Sequence, residues 1–216
     1  MNPALVGVAL AVLLGAVVAA SARTARTATL GLVLAMVGAC FLADPLPDSL
    51  GLAVRLVGTV LAGYLLWIAG RDGDARTGGS RIGWPAEVLI AASAAVVGYG
   101  SHGLGAPANG PALAQACGFG VAALAVAPLF NGRDVLRIGL GTILLTTGAI
   151  LVRASLGGTP GNLEQVVTAG LVAVAGAVVA ALAVAARTDG VAGFDLTPGP
   201  GERVRRPPDA HPIEPR

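Results

Sequence analysis

Four ionisable side chains lie within or at the edge of long apolar stretches of this sequence: Arg55, Glu87, Arg137 and Glu164. A charge inside a membrane is costly and is usually kept because it pairs, binds an ion or relays a proton. Thr146 is a neutral hydroxyl placed deeper in such a stretch. These five residues are therefore the first candidates for a role in an ion path or in contacts with a partner.

Depth within a helix suggests different roles for two of these residues. Arg55 lies roughly 8 Å below the start of its predicted helix, from the rise per residue. Its guanidinium can snorkel toward Asp44, Asp48 or the headgroups, or it can have a buried role, and the sequence leaves both open. Glu87 lies three residues into its helix, so we expect it to be solvated near the headgroups.

Charged residues at the helix ends can form ion pairs only when they lie at the same surface of the membrane. Arg153 and Glu164 end successive helices at the same level, which predicts an ion pair that ties the two helices together. Arg137 falls at the opposite surface and cannot reach Glu164. His102 lies in a connection and can carry a proton, although a lone loop histidine usually has no such role.

The deeper polar groups are neutral, and hydroxyls at such positions usually bond to their own helix or bridge two helices. They are Thr59, Ser93, Gln115, Thr142, Thr146, Thr147 and Thr168. Proton paths normally use Asp, Glu, His or Lys, so the chain is a poor candidate for a proton pump. Cys40 and Cys117 are far apart in the sequence and belong to no metal-ligand motif, so we expect no bound metal. We also expect no other cofactor and no catalysis by this chain.

Composition identifies the elements that position these residues. The 216 residues are 55% hydrophobic and 12% charged, against about 25% charged in soluble domains. This excludes a soluble enzyme, a disordered protein and a coiled coil, and no nucleic-acid partner is expected. We predict an all-α, polytopic transmembrane bundle within residues 1–187. Seven apolar stretches predict its helices: 3–22, 27–43, 50–70, 84–104, 111–130, 135–152 and 163–186.

Arginine placement predicts the orientation of the bundle. Odd-numbered connections and the tail are rich in arginine, whereas the even ones carry at most Arg153. The positive-inside rule then places the amino terminus outside and the carboxyl terminus in the cytoplasm. Residues 188–216 are rich in Pro, Gly and Arg and cannot form a core, so we expect a disordered cytoplasmic tail.

Small residues recur in the last two predicted helices. The seventh has alanines in steps of four, and such a stripe permits close helix approach. They are Ala169, Ala173, Ala177, Ala181 and Ala185. Gly139, Gly141 and Gly148 have the same property in the sixth helix. The stripe predicts either docking to a partner helix or packing within the bundle.

Several motifs resemble a family of membrane subunits. Pro111-Ala-Leu-Ala, Arg133-Asp-Val-Leu-Arg137, Gly148, Leu163-Glu164 and Ala185-Ala-Arg187 occur in order in the last part of the chain. This stretch resembles the membrane component E of hydrogenase-4, which is related to the K subunit of complex I. This component is also related to the C subunit of multisubunit Na⁺/H⁺ antiporters. Residues 44–47 of this sequence, Asp-Pro-Leu-Pro, resemble a motif of those C subunits.

The resemblance implies an accessory role and one departure from the family. The relatives have a glutamate in the penultimate helix, and the match places Thr146 there. The resemblance therefore implies a non-catalytic subunit, surrounded by lipid in a bacterial plasma membrane. It would join larger antiporter-like or hydrogenase subunits in a hetero-oligomer and be structural or accessory to proton or ion translocation. The alternative is a stand-alone small membrane protein or transporter of unknown substrate.

Overall fold

The computed structural model describes residues 3–43, 46–71, 83–104, 107–131 and 134–188, which form seven α-helices. The helices are α1 (Pro3–Ser21), α2 (Ala25–Cys40), α3 (Ser49–Ala69), α4 (Trp84–Gly100), α5 (Ala112–Asn131), α6 (Val135–Gly157) and α7 (Asn162–Thr188). Five of them are long and apolar enough to cross a membrane, and α2 and α4 are shorter apolar helices. The predicted all-helical membrane fold is confirmed, and the chain is a multi-pass integral membrane protein.

Three helices end three or more residues away from the ends that the apolar stretches predict, and the first is α2, which ends at Cys40 instead of residue 43. α4 ends at Gly100, four residues early, and the chain turns away at Gly103, whose φ of 78° is not helical. α6 continues five residues further, to Gly157, and ends at Gly158, whose φ of 76° is a conformation that favours glycine. The longer α6 carries Arg153 on a helical turn, so its side chain has a fixed direction.

Polar side chains cap several of the helices. Asp48 caps α3, with its Oδ1 accepting from the Ser49 N–H at 2.8 Å. Thr24 caps α2 and Asp134 caps α6 in the same way. Asn162 is the first residue of α7. These caps satisfy backbone N–H groups that would otherwise lack partners at the membrane surface.

The helices pack as a ring that does not follow the chain order. α1, α2, α3, α7, α6 and α5 contact one another in that sequence, and α5 returns to α1. α2 also touches α6 across the ring, while α4 lies outside it against α5 and α1. The last helix therefore fills the position between α3 and α6.

Glycines set the closest helix contacts. A Cβ on Gly15 of α1 would lie 2.7 Å from the Gly31 carbonyl oxygen of α2, and one on Gly148 of α6 would lie 2.8 Å from that of Gly118 in α5. Backbones approach this closely only where no side chain intervenes. Alanines make up much of the remaining core, and its largest side chains are those of leucine, isoleucine and valine, among them Leu32, Leu66, Val121, Leu140, Ile143 and Leu144.

One hydrogen bond shows how the two ends of the bundle are arranged. The Arg26 guanidinium donates to the Arg71 carbonyl at 3.3 Å, so the first and third connections lie at the same end. We refer to this as the inner end, after the predicted orientation, and to the opposite one as the outer end. The predicted disordered tail, which follows Thr188, lies outside the described residues, and so does Asp44.

Candidate functional site

Three of the five predicted site residues line one cavity near the outer end. Arg55 of α3, Thr146 of α6 and Glu164 of α7 share this space, which measures about 250 Å³. Arg153 and Gln165 line it as well. We call it the outer cavity, and it brings charged side chains of three helices together around a common space.

Arg55 is buried in the wall of the outer cavity, with 7% of its surface exposed. It lies about 9 Å below Ser49, the first residue of α3. No carboxylate of the described residues forms an ion pair with it. Its side chain is packed among the helices and lines the cavity.

A smaller void lies on the other side of Arg55. It measures about 20 Å³ and is lined in part by Cys40, Thr59, Thr147 and Thr168. This is room for about one water molecule, whose partners would be hydroxyls. The Thr147 and Thr168 hydroxyls donate to carbonyls of their own helices, as predicted, and keep their lone pairs for other donors. Arg55 therefore borders hydroxyl groups in both spaces, and apolar side chains such as Met36 and Val172 complete the smaller one.

Gln165 is a part of the cavity that the sequence analysis missed. Only 1% of its surface is exposed, and its Nε2 donates to the Pro160 carbonyl at 3.4 Å. Because a carbonyl can only accept, this bond fixes the amide orientation and leaves Oε1 pointing away. Among the described residues, Oε1 has no hydrogen-bond donor. Spacing offers a signal for its burial, since Gln165 shares a helix face with Ala169 and Val172.

The predicted ion pair between α6 and α7 is confirmed. Arg153 Nη2 lies 2.8 Å from Glu164 Oε2, and the two side chains are 52% and 36% exposed. Exposed pairs of this kind contribute about 0–1 kcal/mol to stability. Both residues line the outer cavity, so their main effect is to cancel two charges at its mouth.

Thr146 occupies the position that the resemblance assigns to an acidic relay residue. It is half-buried at the cavity, and its hydroxyl donates to the Thr142 carbonyl at 2.9 Å. Its proton is thus engaged within α6, and the side chain offers only lone pairs to the cavity. Thr146 can accept a hydrogen bond there, but it cannot carry a charge.

Glu87 corrects one sequence prediction. We expected it to be solvated, yet it is 1% exposed at the inner end. Its carboxylate interacts electrostatically with Arg137, as does that of Asp134. Arg137 also donates from Nη2 to the Ala20 carbonyl at 2.8 Å. Depth alone was misleading because the face of α4 that carries Glu87 packs against the ring.

A second polar network lies at the outer end, away from the cavity. His102 Nδ1 and Gln115 Oε1 are 2.9 Å apart, and Gln115 Nε2 donates to the Ser101 hydroxyl at 3.1 Å. The loop histidine thus belongs to a contact that fixes the end of α4 against α5. Among the described residues, no group of three His, Cys, Asp or Glu side chains is arranged to hold a metal ion.

The alanine stripe of α7 serves two different surfaces. Ala169 is buried, and its carbonyl oxygen would lie 2.8 Å from a Cβ on Gly58 of α3. Ala177 and Ala181 are exposed. Four residues advance about 40° beyond one full turn of a helix. Alanines in steps of four therefore drift around α7, from the side that contacts α3 to the exposed surface. The buried face continues through Gly176 instead.

Comparison with known proteins adds no relative: no family model, no curated protein and no solved structure matches this chain.

Proposed function

We propose that this chain is a non-catalytic membrane subunit of a larger complex, of the respiratory, hydrogenase-4-like or antiporter-like kind. The observation that carries the proposal is the exposed face of α7 on which Gly170, Ala177 and Ala181 lie among larger residues such as Val174; we call it the small-residue face. This face lies at the edge of the bundle, where a helix of another chain can pack against it.

The α7 surface has the properties of a helix-docking site. Only 33% of the apolar window of α7 is buried, the smallest share among the five long helices. No atom lies within 4 Å of a Cβ built on Gly170. Lipid tails are as apolar as leucine, so helices in a membrane associate through close backbone approach, which small residues allow. The face is therefore suited to a partner helix.

The placement of charge supports an accessory role over a relay. Arg153 and Glu164 pair at the outer end, and Glu87 and Arg137 interact at the inner end. The first of these joins α6 to α7, and the second places opposite charges at one surface, so both are structural uses of charge. Thr146 has no ionisable group at the position where the resembling subunits carry an acid. Translocation would then belong to the larger partner subunits that the resemblance implies.

Native purification tests the proposal. The full chain, extracted from its host in mild detergent, should bring down larger multi-span proteins. Ala177→Leu should reduce their recovery, because the larger side chain prevents close approach. Ala92→Leu is the matched control, since Ala92 is equally exposed but lies on α4. A monodisperse particle of this chain alone would support a stand-alone membrane protein or transporter instead.

A further inference from the structure

We propose that the outer cavity and the apolar groove beside it bind one phospholipid, with the phosphodiester at Arg55 and an acyl chain in the groove. The groove lies between α5 and α6, and we call it the side groove. It is lined by Phe119, Ala122, Leu145, Val152 and Leu156 and measures about 510 Å³. The lipid would come from the leaflet at the outer end. This site is separate from the small-residue face of α7.

The charge of the outer cavity matches a phosphodiester. Arg153 and Glu164 cancel each other at the mouth. Arg55 then leaves one positive charge in the described wall. A phosphodiester carries one negative charge, and the guanidinium fork can donate two parallel hydrogen bonds to its oxygens. An anion in this position compensates the cost of keeping a charge at this depth.

Depth places Arg55 within reach of a headgroup. The headgroup region on each side of a bilayer is roughly 5–7 Å thick. Arg55 lies about 9 Å below the start of α3, which puts the base of its side chain only a few ångströms inside the hydrocarbon. Long arginine side chains bridge such distances. The phosphate of a neighbouring lipid can therefore meet the guanidinium without leaving its own leaflet.

Gln165 indicates which headgroups fit. Its buried Oε1 is an acceptor without a donor among the described residues, and it shares the cavity with Arg55. A ligand that satisfies both must carry a hydrogen-bond donor near its phosphate. Glycerol hydroxyls and an ethanolamine ammonium supply one, whereas choline has none. The site should therefore prefer phosphatidylglycerol or phosphatidylethanolamine over phosphatidylcholine.

The side groove has the length and position of an acyl chain. From Leu145 to Leu156, α6 rises about 17 Å, close to the roughly 15 Å of one leaflet's hydrocarbon. Ala149 and Arg153 line both the groove and the outer cavity. Ala149 is exposed on the ridge of α6 between them, and its small side chain lets one molecule lie across both. A polar cavity joined to an apolar groove matches the two parts of a phospholipid.

Lipid retention tests the proposal. The full chain is purified in mild detergent, washed and extracted with organic solvent, and lipid phosphorus is measured per chain against inorganic phosphate in the aqueous phase. A stoichiometric phospholipid is expected. Arg55→Gln should lower its retention roughly tenfold, the effect of losing a charge-assisted hydrogen bond. Arg71→Gln is the control, since Arg71 is exposed beyond the inner end of α3 and should retain the lipid.

A second variant keeps the arginine in place. Ala149→Phe raises the ridge between cavity and groove, and it should release the lipid even if Arg55→Gln fails to fold. Ala92→Phe on α4 is its control. Equal retention in Ala149→Phe and the parent chain overturns the proposal. Phosphorus found only as free phosphate, or a lipid-free chain whose Arg55→Gln variant loses a protein partner, overturns it as well. Reloading with phosphatidylcholine as readily as with phosphatidylglycerol contradicts the role of Gln165.

Discussion

Replacing Glu87 by leucine should destabilise the bundle more than removing the exposed carboxylate of Glu164. Glu87 is 1% exposed and interacts with the Arg137 guanidinium. Removal of one member of a fully buried pair costs about 3–5 kcal/mol, because the other charge loses its compensation. Arg137 is only half-buried and keeps its bond to Ala20, so solvent reduces the loss. We expect about 2–3 kcal/mol for Glu87→Leu.

A double-mutant cycle isolates the interaction. Replacing both partners, as in Glu87→Leu with Arg137→Met, removes the uncompensated charge and should return stability to within about 1 kcal/mol of the parent. Glu164→Leu is the control, because it breaks the exposed pair with Arg153 and should cost no more than about 1 kcal/mol. The measurement is the free energy of unfolding in detergent micelles with increasing SDS, followed by circular dichroism.

The result that refutes the reasoning is specific. If Glu87→Leu unfolds at the same SDS fraction as the parent, the carboxylate contributes nothing to the bundle. If the double variant loses the sum of the two single losses, Glu87 and Arg137 act independently. Either outcome would show that the Arg137 guanidinium does not compensate the buried Glu87 carboxylate.

Three further predictions concern packing, topology and the tail. Gly148→Leu should cost about 1–3 kcal/mol of unfolding free energy, because its Cβ would press on the α5 backbone, whereas Gly170→Leu should not change the stability of the isolated chain. Cysteines introduced at Ser101 and Thr188 should be labelled by impermeant reagents from opposite sides of the membrane, and labelling from one side would contradict the topology. Truncation after Gly190 should leave membrane insertion unchanged, as measured by recovery of protein from the membrane fraction.

Hydropathy and charge alternation could predict the helices because the position of a helix depends only on the order of residues along the chain. The Arg153–Glu164 pair could be predicted for the same reason: two successive helix ends must return to the same surface. Neighbours around the ring could not be predicted in this way. Glu87 and Arg137 lie 50 positions apart, and nothing in their spacing shows that α4 and α6 carry them to the same place.

The sequence also did not show which face of a helix is buried against its neighbours. Alanines in steps of four looked like one surface of α7, yet Ala169 is buried and Ala181 is exposed. Gln165 was missed because an amide in the first turn of a helix usually faces water. Its burial depends on α3, where Gly51 leaves the space that the Gln165 side chain fills. Such a fit between two helices requires the packed structure.

The ring order has a consequence for synthesis. α7 closes the ring between α6 and α3, so α3 waits for its principal neighbour until the last helix has left the ribosome. About 110 residues separate Ser49 from Asn162, which takes roughly 6–22 s at about 5–20 residues per second. During that interval the Arg55 side of α3 lacks the helix that will cover it. The insertion machinery or the surrounding headgroups must accommodate this arginine, and a ribosome stalled before α7 would leave an open arc of helices with that face uncovered.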